Sequence, residues 1–187
     1  MRTSATGGYL TTALPDNVAL RRFFQGLIKG ITGLPGPMVR PRWQANPPPM
    51  PSIDTNWCSF GITARAPDAS AYVSPAEENA RIVRHEDLEI VCSFYGPAGE
   101  GYAEILRDGM QVSQNREPLL IASMGFKSNT GLTHVPEQHN DRWYERCDIT
   151  LTISRETGKV YEILCFTGAI GAIITETLTL PFEVTNP

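Results

Sequence analysis

Residues 88–95, LEIVCSFY, decide the class of fold. Apolar side chains stand at every second position, and Glu89, Val91 and Ser93 lie between them. A period of two is that of a β-strand with one face against a core. The strand signal extends upstream, so residues 81–95 predict either one long strand or a hairpin bent near Glu86 and Asp87. The stretch therefore predicts a sheet with one buried face.

The rest of the chain supplies helices and further strands. Helices are predicted at 16–31, 98–111 and 115–124, the last capped by Asn115 and ended by Gly125. Strands are predicted at 57–65, 144–154, 160–166 and 172–184. The turn signal at 156–159 makes the second and third of these strands a hairpin. The predicted fold class is α+β, with a single mostly antiparallel β-sheet and helices packed on one face.

The N-terminal part predicts a helix followed by an extended arm. Asp16 is a good N-cap, and the apolar residues of 16–31 recur at helical spacing. Seven prolines follow between 33 and 51, and proline excludes regular packed elements. Residues 39–43 fit a short edge strand, where proline is tolerated. We expect a helix and proline-rich arm over 1–55, an α+β core over 56–187, and one structural domain overall.

The charges are divided unevenly along the chain. The 187 residues carry 16 basic and 20 acidic side chains, a net charge of −4. Residues 1–50 contain six basic residues and one acid, which gives +5, and the remainder amounts to −9. The overall balance argues against a protein that grips DNA phosphates. The basic front predicts an interaction arm that meets either nucleic acid or the acidic body of a neighbouring copy.

Cysteine usage and the terminus favour a protein made in the cytoplasm. The four cysteines (Cys58, Cys92, Cys147 and Cys165) are widely spaced and lie in apolar runs, so we expect free, buried thiols. Residues 1–14 lack the apolar core of a signal peptide. No apolar run approaches the roughly 20 residues that span a bilayer. We expect no membrane partner.

The sequence offers no catalytic, cofactor or metal motif. No serine occupies a G-x-S-x-G elbow. His134 and His139 are five residues apart in a segment that contains a proline, whereas the zinc motif H-E-x-x-H places them four apart on a helix. His85 is followed by two acids, but successive strand residues point to opposite faces.

The glycines of 96–101 lie between a strand and a helix, where phosphate-binding loops occur. They match neither the P-loop nor the dinucleotide fingerprint, and Glu100 would repel a phosphate. We expect a tight turn there. We therefore assign no catalytic, cofactor or metal residue and expect no enzyme.

Several segments together resemble a family of tailed-bacteriophage neck and tail terminator proteins. They occur in order along nearly the whole chain, and the likeness is weakest at 154–159 and in the last strand. The segments are 32–36, 40–44, 57–62, 84–89, 92–97, 106–111, 114–117, 124–126 and 142–148.

The resemblance implies a tail-terminator-like fold and a structural virion protein without a cofactor. Members are expected to form a ring, a hexamer, that caps the tail tube and joins it to the neck. The implied partners are further copies of the chain, the tail tube protein and a neck or connector protein, with a tail sheath as a further candidate. Genomic DNA passes through the channel as cargo. The protein is expected in the virion tail or neck, and in the host cytoplasm during assembly.

Eight residues are the candidates for subunit contacts. They are Arg40, Arg42, Trp43, Arg107, Asp108, Gln114, Asn115 and Arg116. Each has a plainer reading: an arm packed on its own domain for the first three, a solvated helix face for the next two, and a capped helix start for the last three. Two other functions stay open: a peptide- or protein-binding module that uses the proline-rich arm, and a hydrolase that uses His85 or His134.

Overall fold

The computed structural model describes residues 8–75, 79–139, 141–163, 168–174 and 179–185. Its three helices are α1 (Asn17–Thr32), α2 (Gly99–Gly109) and α3 (Ser113–Ile121). A 3-10 turn, Gly36–Met38, precedes the first strand. The strands are β1 (Val39–Pro41), β2 (Trp57–Pro67), β3 (Tyr72–Pro75), β4 (Asn79–Tyr95), β5 (Met124–Asn129), β6 (Thr133–His134), β7 (Glu137–His139), β8 (Arg142–Tyr144), β9 (Arg146–Glu162), β10 (Gly168–Ile174) and β11 (Thr179–Thr185).

The main sheet has seven strands, with the central order β1-β2-β4-β9-β5. β3 pairs with β4, and β6 pairs with β9. β2 is antiparallel to β4 and β5 to β9, but β1 runs parallel to β2. The predicted α+β class is confirmed, and the sheet is mixed. The expectation of a single sheet is wrong, because β7–β8 and β10–β11 form separate two-stranded sheets.

The chain folds as two compact units. The larger unit comprises Leu14–Ala71 and Arg84–Thr157. The smaller unit comprises the described parts of Met1–Ala13, Tyr72–Val83 and Gly158–Pro187. In the smaller unit, β3 pairs with the start of β4 and Thr12 donates a hydrogen bond to the carbonyl of Val160 at 3.1 Å.

The core of the larger unit follows from strict alternation along the strands. Alternate side chains within 58–62 of β2, 88–94 of β4 and 147–153 of β9 pack in one cluster, while the residues between them lie on the opposite face. The helices add their own buried side chains to the same cluster. These contributors are Phe24, Leu27 and Ile28 from α1, Ala103 and Leu106 from α2, and Leu119 from α3.

The first helix forms as its sequence predicts. Asp16 accepts hydrogen bonds from the backbone amides of Val18 and Ala19, both at 2.9 Å, which satisfies two otherwise unpaired donors. Gly33 adopts a left-handed conformation (φ 73°) and its amide donates to the carbonyl of Lys29. Glycine often ends a helix in this left-handed conformation, because glycine carries no Cβ.

Strand β4 is continuous, which settles the choice between one strand and a hairpin. Glu86 and Asp87 lie inside this strand rather than at a bend. Each carboxylate pairs with a cation. Glu86 pairs with Arg155 of β9, and Asp87 lies 2.6 Å from the ammonium of Lys127. Cross-strand pairing therefore lets charged residues occupy the middle of a long strand.

The predicted hairpin between 144–154 and 160–166 is wrong. Its turn signal at 156–159 lies inside β9, which runs unbroken from Arg146 to Glu162. Thr157 donates a hydrogen bond to the carbonyl of Arg84 at 3.3 Å, so the signal residues are held beside β4. The predicted strand at 172–184 is instead two antiparallel strands, β10 and β11, and residues 164–167 and 175–178 lie outside the described residues.

The third helix differs from its prediction at both ends. It begins at Ser113, and Asn115 is not its cap, since the Asn115 side chain donates instead to the carbonyl of Gly109 at 2.9 Å. The helix stops before Ser123, whose left-handed φ of 54° turns the chain. Met124 and Gly125 then belong to β5. His134 and His139 lie in two short strands, β6 and β7.

The outer edge of the sheet at β1 is closed by side chains. The side-chain amide of Gln25 donates to the carbonyl of Val39 at 2.7 Å. The side-chain amide of Gln44 donates to the carbonyl of Pro41, also at 2.7 Å. On its inner side the backbone continues the pairing, with the amide of Arg42 donating to the carbonyl of Phe60 at 2.7 Å. β1 is thus a short edge strand, as predicted.

Cys58, Cys92 and Cys147 are free and buried, as expected, and Cys165 lies outside the described residues. Among the described residues, no helix is long and apolar enough to cross a membrane.

Candidate assembly surface

The sheet face opposite the core carries a connected polar network. Arg42 donates to Ser59 at 3.2 Å and also to the hydroxyl of Ser93. Ser93 in turn donates to Asp148. Two nitrogens of Arg146 reach the two carboxylate oxygens of Asp148, at 2.8 and 2.6 Å. The network therefore joins β2, β4 and β9 to the segment after β1.

An ordered stack of rings and cations lies beside this network. The rings of Trp57 and Tyr95 are parallel, with centroids 4.3 Å apart. The Arg40 guanidinium lies 5.7 Å from the Trp57 ring, and the Arg146 guanidinium lies 6.0 Å from the Tyr95 ring. Burial raises the pKa of the Tyr95 hydroxyl. The hydrogen bond to Asp148 raises the pKa of the Arg146 guanidinium. Cation–π contacts of this kind hold a charged side chain over an aromatic face.

Arg40 and Arg42 are therefore bound to their own chain. Besides its contact with Trp57, Arg40 donates to the carbonyls of Pro37 and Pro49, at 2.9 and 2.7 Å. The proline-rich stretch is thus tied to the edge strand at Pro49. Arg42 is fixed by Ser59 and Ser93, as described above.

Trp43 differs from these two arginines because 69% of its surface is exposed. Its backbone is left-handed (φ 56°), which is strained for a bulky residue. A Cβ at Gly61 would lie 2.7 Å from Cζ3 of the indole. The ring can therefore take this position only because residue 61 is a glycine. Strained residues that persist in a fold often mark functional sites.

The other predicted contact residues lie on α2 and at the start of α3. Arg107 and Asp108 pair with each other at 2.8 Å. Their hydrogen bond raises the pKa of Arg107 and lowers the pKa of Asp108. Gln114 is exposed, and Arg116 makes a long hydrogen bond of 3.4 Å to Ser113. The eight candidates thus lie in and just after β1, near the end of α2 and at the start of α3.

A groove with a volume of about 620 Å³ lies between α1 and α3. Phe23, Gly26 and Gly30 line it from α1. Gln114, Asn115, Pro118 and Ile121 are among the residues that line it from α3. Two of the predicted contact residues therefore belong to this groove.

Comparison with known families identifies the chain. A family model described as phage neck terminator protein matches residues 18–177. The chain belongs to this family. The match spans all three helices and most strands of the larger unit. A comparison with curated proteins finds no match.

Membership makes the chain a structural protein of the phage tail and neck, with a place in that part of the virion. The family is not an enzyme family, and it implies association with other tail or neck proteins.

Within the described ranges, no group of three or more metal-ligating side chains could hold an ion. Burial raises the pKa of the Cys58 thiol and of the Cys147 thiol, so both stay protonated and weakly nucleophilic at neutral pH. His134 lies 3.2 Å from Glu100 on the surface. The backbone of 96–99 forms the expected tight turn, with the amide of Gly99 donating to the carbonyl of Gly96.

The residues that build the polar face were not predicted from the sequence. Ser93, Arg146 and Asp148 alternate with core residues on β4 and β9, so the period-two pattern places them on the opposite face. That signal was present in the sequence. The register between the two strands was not, and it is the register that brings Ser93 to Asp148.

Proposed function

We propose that this chain is the subunit of a homo-oligomeric ring, a hexamer, that caps the finished tail tube and joins it to the neck or connector protein. Genomic DNA passes through the central channel as cargo. A tail sheath is a further candidate partner, and assembly takes place in the host cytoplasm. The observation that carries this proposal is the family match over residues 18–177.

In this proposal the three helices cover one face of the sheet, and residues 1–55 act as a helix and extended arm on an α+β core of 56–187. The contacts of Arg40 with Pro49 and with the Trp57 ring support a preordered arm. An arm that is already ordered loses less entropy when it docks. Arg42 serves by fixing the backbone next to Trp43, which presents the exposed ring.

The remaining candidates extend the contact surface over α2 and α3. Arg107 and Asp108 offer an exposed pair of opposite charges, and Gln114, Asn115 and Arg116 lie at the groove or next to it. A ring needs two different patches on each copy, because the contact is heterologous. The division of charge between residues 1–50 and the rest favours such head-to-tail contact.

Negative-stain microscopy of the purified protein with tail tubes tests the proposal. We expect rings at one end of each tube, with a central channel, and a six-fold class average. Tubes without added protein are the control and should show open ends. Protein that leaves both tube ends bare, or that decorates the tube along its length, would contradict a terminator role.

A further inference from the structure

The groove between α1 and α3 has the features of a docking site. Gly26 and Gly30 leave its α1 wall open, since a Cβ at either position would meet nothing within 4 Å. On the α3 side, Ile121 is 86% exposed and Leu120 is also exposed. Only Leu119 of α3 is buried. The helix thus shows most of its apolar side chains to solvent, beside a groove large enough for an aromatic ring.

The surroundings of the groove are basic. α1 contains no acidic residue, and its exposed side chains include Arg21, Arg22 and Lys29. Arg22 lines the groove directly. The α3 wall adds one acid, Glu117, which is preceded by Arg116. An occupant of this groove should therefore be apolar and flanked by acidic groups.

The same chain carries a segment with that chemistry. Of its three tryptophans, Trp57 is buried, and Trp43 lies in a stretch, 39–47, that contains two arginines and no acid. Trp143 is 62% exposed on β8, and Asp141 and Glu145 stand two residues to either side of it. Residues 135–145 contain three acids and one arginine. Charge therefore favours Trp143 over Trp43 as the ring that enters a basic groove.

We propose that Trp143 of one copy docks in the α1–α3 groove of the next copy. The proposal rests on the proposed ring function and names one of its contacts. β7 and β8 pair antiparallel, with Gln138 opposite Trp143, so a strand pair carries the ring. Tryptophan is the residue type most enriched at interface centres. The exposed Trp143 side chain, called the knob below, and the groove are different surfaces, as a heterologous contact requires.

Two single variants separate the two halves of the contact. Trp143→Ala removes the knob, and Gly30→Leu fills the groove. Gly101→Leu is the matched control, because Gly101 is also helical with open space around its Cβ, but lies on α2 outside the groove. Replacing a helical glycine with leucine favours the helix, so both leucine variants should fold. Circular dichroism and thermal melting verify this.

Sedimentation velocity measures the association. We expect Trp143→Ala and Gly30→Leu each to weaken self-association at least about 30-fold, the loss typical of a tryptophan anchor. Gly101→Leu should assemble like the unchanged chain. An equal mixture of Trp143→Ala and Gly30→Leu should form dimers and nothing larger, because each dimer combines one intact groove with one intact knob.

The outcomes distinguish this inference from the proposed function. If the unchanged chain forms rings and either variant assembles normally, the docking contact is wrong and the ring proposal stands. If both variants form normal rings but fail to bind tail tubes, the groove or Trp143 serves another virion protein, which also overturns the inference. If the unchanged chain never assembles, alone or with tubes, both proposals fail. Monomeric variants whose mixture yields dimers would support the inference.

Discussion

Replacing Asp148 with alanine tests whether the polar face of the sheet stabilises the fold. Asp148 accepts two hydrogen bonds from Arg146, at 2.8 and 2.6 Å, and one from Ser93. Its side chain is 19% exposed and that of Arg146 is 21% exposed, so the pair is largely removed from water. Removal of the carboxylate leaves a mostly buried guanidinium without its bidentate partner.

The burial and the contacts of this ion pair set the expected loss in the free energy of unfolding. Breaking a fully buried ion pair costs about 3–5 kcal/mol. The cost here should be lower, because Arg146 is partly solvated and keeps Glu137 at 3.3 Å and the ring of Tyr95. We expect Asp148→Ala to lower the free energy of unfolding by about 2–3 kcal/mol. For a chain of this length, that corresponds to a fall in Tm of roughly 4–12 °C.

Urea denaturation followed by fluorescence and circular dichroism gives the assay. Glu89→Ala is the control, because Glu89 is an exposed acid on the neighbouring strand, and it should change stability by less than about 0.5 kcal/mol. A double-mutant cycle with Arg146→Ala should give a coupling energy of about 1–3 kcal/mol. An Asp148→Ala variant as stable as the Glu89→Ala control, or a coupling energy of zero, would show that the ion pair between Asp148 and Arg146 does not stabilise the fold.

Two further predictions concern the packing of Gly61 and the burial of two cysteines. Gly61→Ala should displace the Trp43 ring, because the added Cβ would lie 2.7 Å from Cζ3, and the tryptophan emission should shift to longer wavelength; an unchanged spectrum would contradict the contact. Cys58 and Cys147 should resist alkylation in the native protein at neutral and mildly alkaline pH, because burial raises the pKa of both thiols, and should react after denaturation. Mass spectrometry of the labelled peptides measures this, and rapid native labelling of either cysteine would contradict it.

Elements governed by local chemistry were predicted well from the sequence. α1 begins and ends within a residue or two of its prediction, because Asp16 and Gly33 cap the helix through hydrogen bonds to residues close to them in sequence. β2 and β4 were found because their alternation reflects one buried face. The short edge strand at β1 was also anticipated, since proline restricts it to the periphery, but the side chains that close the edge were not.

Elements governed by distant partners were predicted poorly. The turn signal at 156–159 failed because pairing with β4 outweighs the local preference of Gly158. α3 was mispredicted because Asn115 bonds to Gly109 of the preceding helix, and because its end uses Ser123, a residue type that seldom adopts positive φ. The polar face needed the register of strands that lie more than 50 residues apart in sequence. The α1–α3 groove could not be predicted either, because it depends on how the two helices pack.

The closed edge at β1 bears on how copies of the chain can meet without aggregating. An exposed sheet edge is a template on which any other strand can add, and open edges promote fibrils. At β1, the glutamine amides of Gln25 and Gln44 occupy the carbonyls, and Pro41 has no amide hydrogen to offer. Backbone addition is therefore blocked at this edge. Copies of this chain that meet at high concentration can therefore associate at this edge only through side chains, which recognise a specific partner.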